Sequence, residues 1–521
     1  MKILYKTTKK TGLALIAIVL ISTALSCKKF LDTQKQGEYT DETYPYPGGS
    51  GPYDQYLFAA YTNLRAYGVH SFGFVLSTSV RSDDADIGSS AGDGGANVQT
   101  FETFPLSAGN TIINGMWIEY YNLIDKCNIA LDQIENNKDL IATDANKIQS
   151  QAEAKFLRAY AYFNMVRLFG KIPLIVKPIT VTEPSGPQST AAQVYTLIEG
   201  DLQFAAANLP INWDPRFVGR ATSGAANALL AKVYLTQKKW SAAMGAANAV
   251  MLNGQYDLTT SYDKIFGEEG ENSRESVFEV QATASSTVQT ANGVQYAANQ
   301  GVRGNLDIWN LGDGFNVPSA TLDAAYETGD PRKSRTFLYR NTAATLASPT
   351  PYKTYYGEIT GTTWANPIYN HKVYTNPARR ASVGNRFGWW MNIRIIRYAD
   401  VVLMYAEAAN ELGGTANTTA ALAALNSIRT RARNGNAAIL PNVTTTDQGL
   451  LRTAIRQERR IELAMENDRF FDLVRWGISG TALAAAGRTA FVEGRDVLLP
   501  IPQTQIDLSK EPNKLTQNSG Y

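Results

Sequence analysis

The chain has 521 residues, with 49 Lys and Arg against 47 Asp and Glu and a formal charge of +2. So even a balance excludes the broad basic footprint of a nucleic-acid binder. With 44% hydrophobic and 18% charged residues the chain can bury a large core, which excludes disorder for most of its length. Two His (His70, His371) and two Cys (Cys27, Cys127), none at metal-ligand spacing, argue against a zinc enzyme, a disulfide scaffold and a Ser/His hydrolase.

At the amino terminus Lys2, Lys6, Lys9 and Lys10 precede an apolar run over residues 13–21, and small and apolar residues lead up to Cys27. This is the pattern of a secretory signal peptide. The run is too short to cross a bilayer, which takes roughly 20 apolar residues, and no second run of that size follows. Residues 24–27 (ALSC) resemble the lipobox of bacterial lipoproteins, in which cleavage before the Cys leaves its sulfur to carry diacylglycerol. Residues 1–26 are therefore expected to be the signal and Cys27 the lipid anchor, since two or more acyl chains hold a protein stably on a membrane. The four lysines of the signal account for the slight basicity: without them 45 basic residues face 47 acidic ones. Cys127 has no partner and reads as a small apolar core residue.

Residues 52–68 and 111–136 carry apolar side chains at three- and four-residue steps, the mark of amphipathic helices. Residues 147–170 are apolar on most sides, as in a helix buried between others, and end at Gly170. Two stretches read as helix pairs. In the first, Ala226, Leu230, Val233 and Tyr234 form one stripe, Lys238 and Lys239 the turn, and Trp240, Ala243, Ala247, Val250 and Met251 the next, closed by Gly254. In the second (residues 396–433), Val401, Met404, Tyr405, Ala408 and Leu412 lead through Gly413 and Gly414 to Ala421, Leu425, Ile428 and Ala432. Small residues at facing positions allow the close helix approach of tetratricopeptide repeats. Roughly 140 residues separate the pairs, too many for a loop within a compact domain, so a second subdomain is inserted there. The Gly, Asn, Thr and Tyr content of residues 281–395 predicts loops and short strands, with residues 273–281 (SRESVFEVQ) as one strand. The fold class is thus mainly α, with tetratricopeptide-type helix pairs as scaffold and a loop-rich, partly β insertion. Residues 27–253 form the amino-terminal helical region and residues 254–521 the carboxy-terminal one.

Residues 451–477 interleave arginines and acids with apolar residues. Glu458 and Glu462, one turn apart, invite comparison with the paired carboxylates of glycosidases. Arg459, Arg460, Arg469 and Arg475 stand ready to neutralise Glu458, Glu462, Glu466 and Asp472, however, and guanidinium neighbours depress the pKa that a general acid needs raised. Scaffold ion pairs are the reading adopted, and a secreted helical glycoside hydrolase is the alternative. Asp83, Asp84, Asp86 and Gly88 hint at a calcium loop, but the spacing fails the EF-hand pattern and no Glu closes it. A local structural Ca2+ is the most this cluster supports; no other cofactor is expected. Residues 88–92 spell G-x-S-x-G in a loop context that a nucleophile elbow does not have.

Several long motifs resemble the SusD/RagB family. Residues 459–477 (RRIELAMENDRFFDLVRWG), 396–413 (IRYADVVLMYAEAANELG), 424–435 (ALNSIRTRARNG) and 498–521 are similar to its carboxy-terminal signature. Residues 152–174 (AEAKFLRAYAYFNMVRLFGKIPL) and 219–240 are similar to its amino-terminal one, and residues 329–337 (GDPRKSRTF) match a further motif. The resemblance implies a lipid-anchored outer-membrane protein of a Bacteroidetes bacterium that performs no chemistry. It implies a role as extracellular lid on a SusC-like TonB-dependent transporter, capturing glycans or, in some members, peptides. Lys28 and Lys29 depart from the acidic residues that often follow the lipidated Cys in surface-exported proteins, so exposure to the medium rests on the family.

Neutral sugars present apolar C–H faces rimmed by hydroxyls and are bound by flat aromatic rings flanked by amide and hydroxyl groups. Aromatics on helical stripes, such as Trp117, Trp240 and Trp476, are assigned to packing. The resemblance places ligand aromatics in two loop-like stretches, residues 70–110 and 281–316. Phe104, Tyr296 and Trp309 are the candidate ligand-binding residues; no metal ligand is assigned.

Overall fold

The computed structural model describes residues 51–90, 92–180, 186–304 and 308–521. The signal segment and Cys27 lie outside the described residues. Residues Tyr53–Tyr521 form the folded body.

Ten helices carry the scaffold: α1 (Asp54–Asn63), α2 (Thr111–Asn136), α3 (Asp144–Phe169), α4 (Ala191–Asn208), α5 (Ser223–Thr236), α6 (Trp240–Leu252), α7 (Tyr398–Leu412), α8 (Thr415–Arg433), α9 (Gln448–Glu462) and α10 (Arg469–Trp476). Their starts are set by side chains that satisfy otherwise unpaired amides, each worth about 1 kcal/mol. Asn110 accepts from the amides of Ile112 and Ile113 at the head of α2, Thr143 from Asn146 at α3, and Asp447 from Leu450 at α9. Thr190 and Gln193 form a reciprocal capping box at α4. Gly170, at φ 73°, ends α3 in a conformation only glycine adopts without cost. The stretch over residues 52–68 is not one helix: the chain breaks at Leu64–Ala66, and a short second helix, Tyr67–His70, follows. Residues 451–477 likewise divide, into α9 and α10.

Consecutive helices pack side by side from α2 through α6, and α6 then packs on α7, α7 on α8 and α9. The two pairs, far apart in sequence, are therefore neighbours in one stack. Buried alanines make the close approach: Ala399, Ala406 and Ala409 of α7 meet Ala421 and Ala424 of α8, while Met244 and Met251 of α6 close the same cluster. Cys127 is fully buried in the main core, and burial pushes its thiol far above the usual range.

The insertion leaves and re-enters this stack through one antiparallel ladder. Strand β2 (Ser276–Val280) pairs with β6 (Ile393–Arg397), with Ser276 opposite Arg397 and Val280 opposite Ile393. Two further ladders organise what lies between. Strand β1 (Ala85–Gly88) pairs with β3 (Phe315–Pro318), and β4 (Phe337–Tyr339) with β5 (Ile368–Asn370). The β1–β3 ladder joins residues 230 positions apart, and so carries the 70–110 stretch to the 281–316 stretch.

The arginine-rich segment is a buried ion-pair network. Glu458 and Glu462 are 2% and 0% exposed, so neither reaches a substrate. Glu462 receives Arg332, Arg397 and Arg431, and Glu458 receives Arg332 and Arg429. Burial alone would raise the Glu462 carboxyl, but Arg431, Arg397, Arg332 and Lys372 hold it far below the ordinary carboxylate range. The alternative of a glycoside hydrolase thus loses the carboxylates it was built on. The aspartates of the calcium-like cluster are engaged in the same way, Asp83 by Arg469, Asp84 by Arg460 and Asp86 by Arg488. Among the described residues no set of three His, Cys, Asp or Glu side chains is arranged to hold a metal, and no helix is long and apolar enough to cross a membrane.

Candidate functional site

The three candidate residues do not form one platform. Phe104 is 6% exposed and packs with Phe470 and Leu483, its ring edge-on to Phe491 at 5.2 Å. Tyr296 is buried in the main core, its hydroxyl accepting a hydrogen bond from Asn467 Nδ2 at 2.8 Å. Trp309 is 6% exposed and lies 5.0 Å from Trp364 and 6.3 Å from Tyr374. Gly361 closes over this tryptophan pair: a Cβ there would stand 2.6 Å from Trp364 Nε1 and 3.1 Å from Trp309 Nε1. Each ring is buried against neighbours distant in sequence, so none of the three presents an exposed face in this structure.

The two stretches that carry these residues nevertheless converge, and where they meet two accessible rings, Tyr67 and Phe72, stand over Phe315, which is 8% exposed and belongs to the core. Phe315, at the start of β3, lies 4.6 Å from Phe72, and Phe72 lies 6.5 Å from Tyr67. Tyr67 is 46% exposed and Phe72 half-buried. Their position follows from two glycines. A Cβ on Gly68 would sit 2.8 Å from the Gly115 carbonyl oxygen, and one on Gly73 would sit 2.7 Å from the Met116 side chain. Only without those atoms can residues 67–75 lie directly on α2 and turn Tyr67 outward.

Polar groups border these rings. Asn299 Nδ2 donates to Asp313 Oδ2 at 3.0 Å. Burial and the Asp313 carboxylate raise the Tyr67 phenol, while a hydrogen bond with Asn299 works against them. Arg303 donates to Ser89 Oγ at 2.8 Å and to Asp93, with side-chain exposures of 37% for Arg303 and 31% for Asp93. Ser89, at φ 55°, is fixed by its amide on the Gly314 carbonyl and its hydroxyl on Asp93 and the Asp313 carbonyl. Hydrogen bonds from Ser89 and the Ser90 amide, with Arg303, hold the Asp93 carboxyl below its ordinary value. The result is an apolar ring face beside amide, carboxylate and guanidinium groups, the complement of a sugar's C–H face and hydroxyl rim.

Sequence reasoning passed over Tyr67, Phe72, Phe315, Asn299, Arg303 and Asp313. All but Tyr67 lie inside the two nominated stretches. A signal was present in residues 66–74 (AYGVHSFGF), where aromatics alternate with glycines in a way no packed helix stripe requires.

Fold and face together define a helical-repeat scaffold protein with a loop-rich insertion and an accessible aromatic surface where the amino-terminal segment 67–75 meets that insertion. The SusD family profile matches residues 274–521, and one described as "Starch-binding associating with outer membrane" matches residues 78–235. SusD-like protein P2 of Formosa agariphila is 30% identical over 462 residues, spanning 86% of this chain and 88% of its own. A solved structure described as a laminarin-binding SusD-like protein is similar at 28% identity with a TM-score of 0.74, covering 90% of this chain and 99% of that one. Surface glycan-binding protein A from Bacteroides fluxus is similar at 26% identity with a TM-score of 0.72, covering 91% and 100%. The chain belongs to the SusD/RagB family.

Proposed function

We propose that the protein is a lipid-anchored outer-membrane glycan-binding protein that captures oligosaccharide on the Tyr67 and Phe72 face, backed by Phe315, without altering it. It hands the ligand to a SusC-like TonB-dependent transporter, which it covers as an extracellular lid. The observation that carries the binding role is the accessible Tyr67 and Phe72 surface with its polar border, formed where β1 and β3 join the two loop stretches. Relatives named for laminarin and glycan binding support a glycan over a peptide, and the lipobox-like residues 24–27 support the anchor. Non-catalytic capture is supported by the burial of the Glu458 and Glu462 carboxylates.

Affinity electrophoresis through gels cast with laminarin or starch, with a peptide panel run in parallel, tests the ligand class. Retardation by a polysaccharide, with no cleavage products released, is the expected result; retention of peptides alone removes the glycan reading. Co-purification of a large outer-membrane barrel with the native lipoprotein tests the transporter partnership separately.

A further inference from the structure

A cavity of about 530 Å³ opens between the end of α8, the segment after α6 and the insertion. This volume is in the range of small-molecule sites. Arg335 lines it, and Arg335 is unlike the other buried arginines of the insertion and its neck. Arg332 and Arg397 are each met by carboxylates, Arg332 by Asp330, Glu458 and Glu462, and Arg397 by Glu275, Glu462 and Glu466. Arg335 is 2% exposed, yet no carboxylate pairs with it among the described residues. Its Nε donates to the Asp263 carbonyl at 2.9 Å and its Nη1 to the His371 carbonyl, its plane lies 4.6 Å from the Tyr355 ring, and its Nη2 has no acceptor.

A buried guanidinium without a counter-charge is costly, and a donor left without an acceptor adds to that cost. Burial accordingly pulls the group down to about 10. Arg431 lines the same cavity. Its Nη2 is bonded to Glu462, but its Nε and Nη1 have no hydrogen-bond acceptor, Glu275 standing 3.5 Å from Nη1. Lys353 and Asp263, both exposed, also line it, and so add an ammonium and a carboxylate. His371, also lining, adds no charge: its Nδ1 bonds the Ser334 carbonyl and its Nε2 accepts from the Tyr355 amide, which fixes the neutral ring.

Two guanidinium side chains on separate elements, each with a donor that has no acceptor, line one cavity large enough for a monosaccharide, a setting that fits a planar or tetrahedral oxyanion. We infer that this cavity is a second binding site, distinct from the Tyr67 face, for a saccharide unit bearing a carboxylate or sulfate group, with Arg335 as its principal anion contact. The saccharide part rests on the glycan-binding reading; the oxyanion part stands on Arg335 and Arg431 alone. Site occupancy supplies the counter-charge that the fold leaves out, so binding stabilises the folded chain.

Thermal unfolding of the mature protein with sodium glucuronate, sodium sulfate, glucose and sodium chloride at matched ionic strength tests this. A saturable rise in Tm with glucuronate or sulfate, absent with glucose and chloride, is expected. A response to glucuronate alone identifies the carboxylate source, and a response to sulfate alone the sulfate ester. Arg335→Met is expected to abolish the response and Lys353→Glu, at an exposed position, to weaken it at least fivefold. Neither variant is expected to alter binding of laminarihexaose to the Tyr67 face. No saturable response to either anion, or an unchanged response in Lys353→Glu together with a folded Arg335→Met, overturns the inference. Loss of neutral-glycan binding with anion binding retained would instead count against the proposed function alone.

Discussion

Arg397, the last residue of β6, donates to the Glu462 carboxylate at the end of α9 at 3.0 Å. Through this contact the neck of the insertion is tied to the helix that follows both repeat pairs. Arg332, from within the insertion, and Arg431, from α8, reach the same carboxylate. Glu462→Gln removes the one charge these three buried guanidinium groups share. Breaking a buried pair from one side costs about 3–5 kcal/mol, so a large drop in denaturant midpoint is expected. In a double-mutant cycle with Arg397→Met the two losses are expected to be strongly non-additive. A midpoint unchanged in Glu462→Gln would remove the network as the clamp between insertion and scaffold.

The two histidines make stability fall in mild acid. Burial pulls His70 down to about 4, against which its bond to the Leu64 carbonyl acts weakly; burial and then Arg335 pull His371 to about 3. Both folded values lie below the unfolded value of about 6.5, so between these limits the unfolded chain binds more protons than the folded one. Their contribution is complete above pH 6.5 and is lost as pH falls toward the folded values, by roughly 2 kcal/mol per histidine between pH 7 and pH 5. Unfolding curves across that range are expected to shift steadily downward, and His70→Gln, though less stable at pH 7, is expected to flatten the slope.

Trp309 supports the insertion. Its ring lies 5.0 Å from Trp364 in a cluster with Tyr369 and Tyr374, under the cover of Gly361. Truncation of a buried tryptophan to alanine costs about 3–5 kcal/mol. Trp309→Ala is expected to lower Tm markedly; where it still folds, its affinity for oligosaccharide is expected to stay within about twofold of wild type at a temperature well below Tm. Specific loss of binding in a fully stable Trp309→Ala protein would restore the ring to the ligand surface.

Gly68 sets the position of Tyr67 from beneath. A Cβ at this site meets the Gly115 carbonyl at 2.8 Å, and backbone cannot give way as a flexible side chain can. Gly68→Val is expected to displace the short Tyr67–His70 helix, lowering stability by about 1–3 kcal/mol and oligosaccharide affinity with it. Gly115→Ala, whose added Cβ meets nothing within 4 Å inside α2, is the matched control: it is expected to leave affinity unchanged and to raise stability by up to about 1 kcal/mol.

Much of the scaffold was legible because its information is local. The spacing of apolar residues over 111–136 marks out α2 with its observed limits, and Gly413 and Gly414 mark the turn between α7 and α8. The ion-pair character of residues 451–477 was also readable, since the charges outnumber what a catalytic pair needs. What was not legible is set by contacts between distant segments. Nothing in residues 240–252 announces that α6 packs on α7, nearly 150 residues later. The enclosure of Trp309 depends on Trp364 and Gly361, more than 50 positions on. Tyr67 falls inside residues 52–68, which read as one helix, and its exposure arises from the chain break at Leu64–Ala66 and the seat of Gly68 on α2. Phe72 and Phe315 thus lie inside the two nominated stretches and Tyr67 just outside them, and none of the three rings was singled out.

The most direct test is calorimetric titration of the mature protein with laminarihexaose and maltohexaose, alongside Tyr67→Ala and Phe72→Ala. Saturable binding of at least one hexasaccharide is expected, weakened about tenfold or more, ~1.4 kcal/mol, in each variant while Tm is held. Wild-type affinity in both variants would contradict the assignment of the Tyr67 and Phe72 surface as the glycan-binding face.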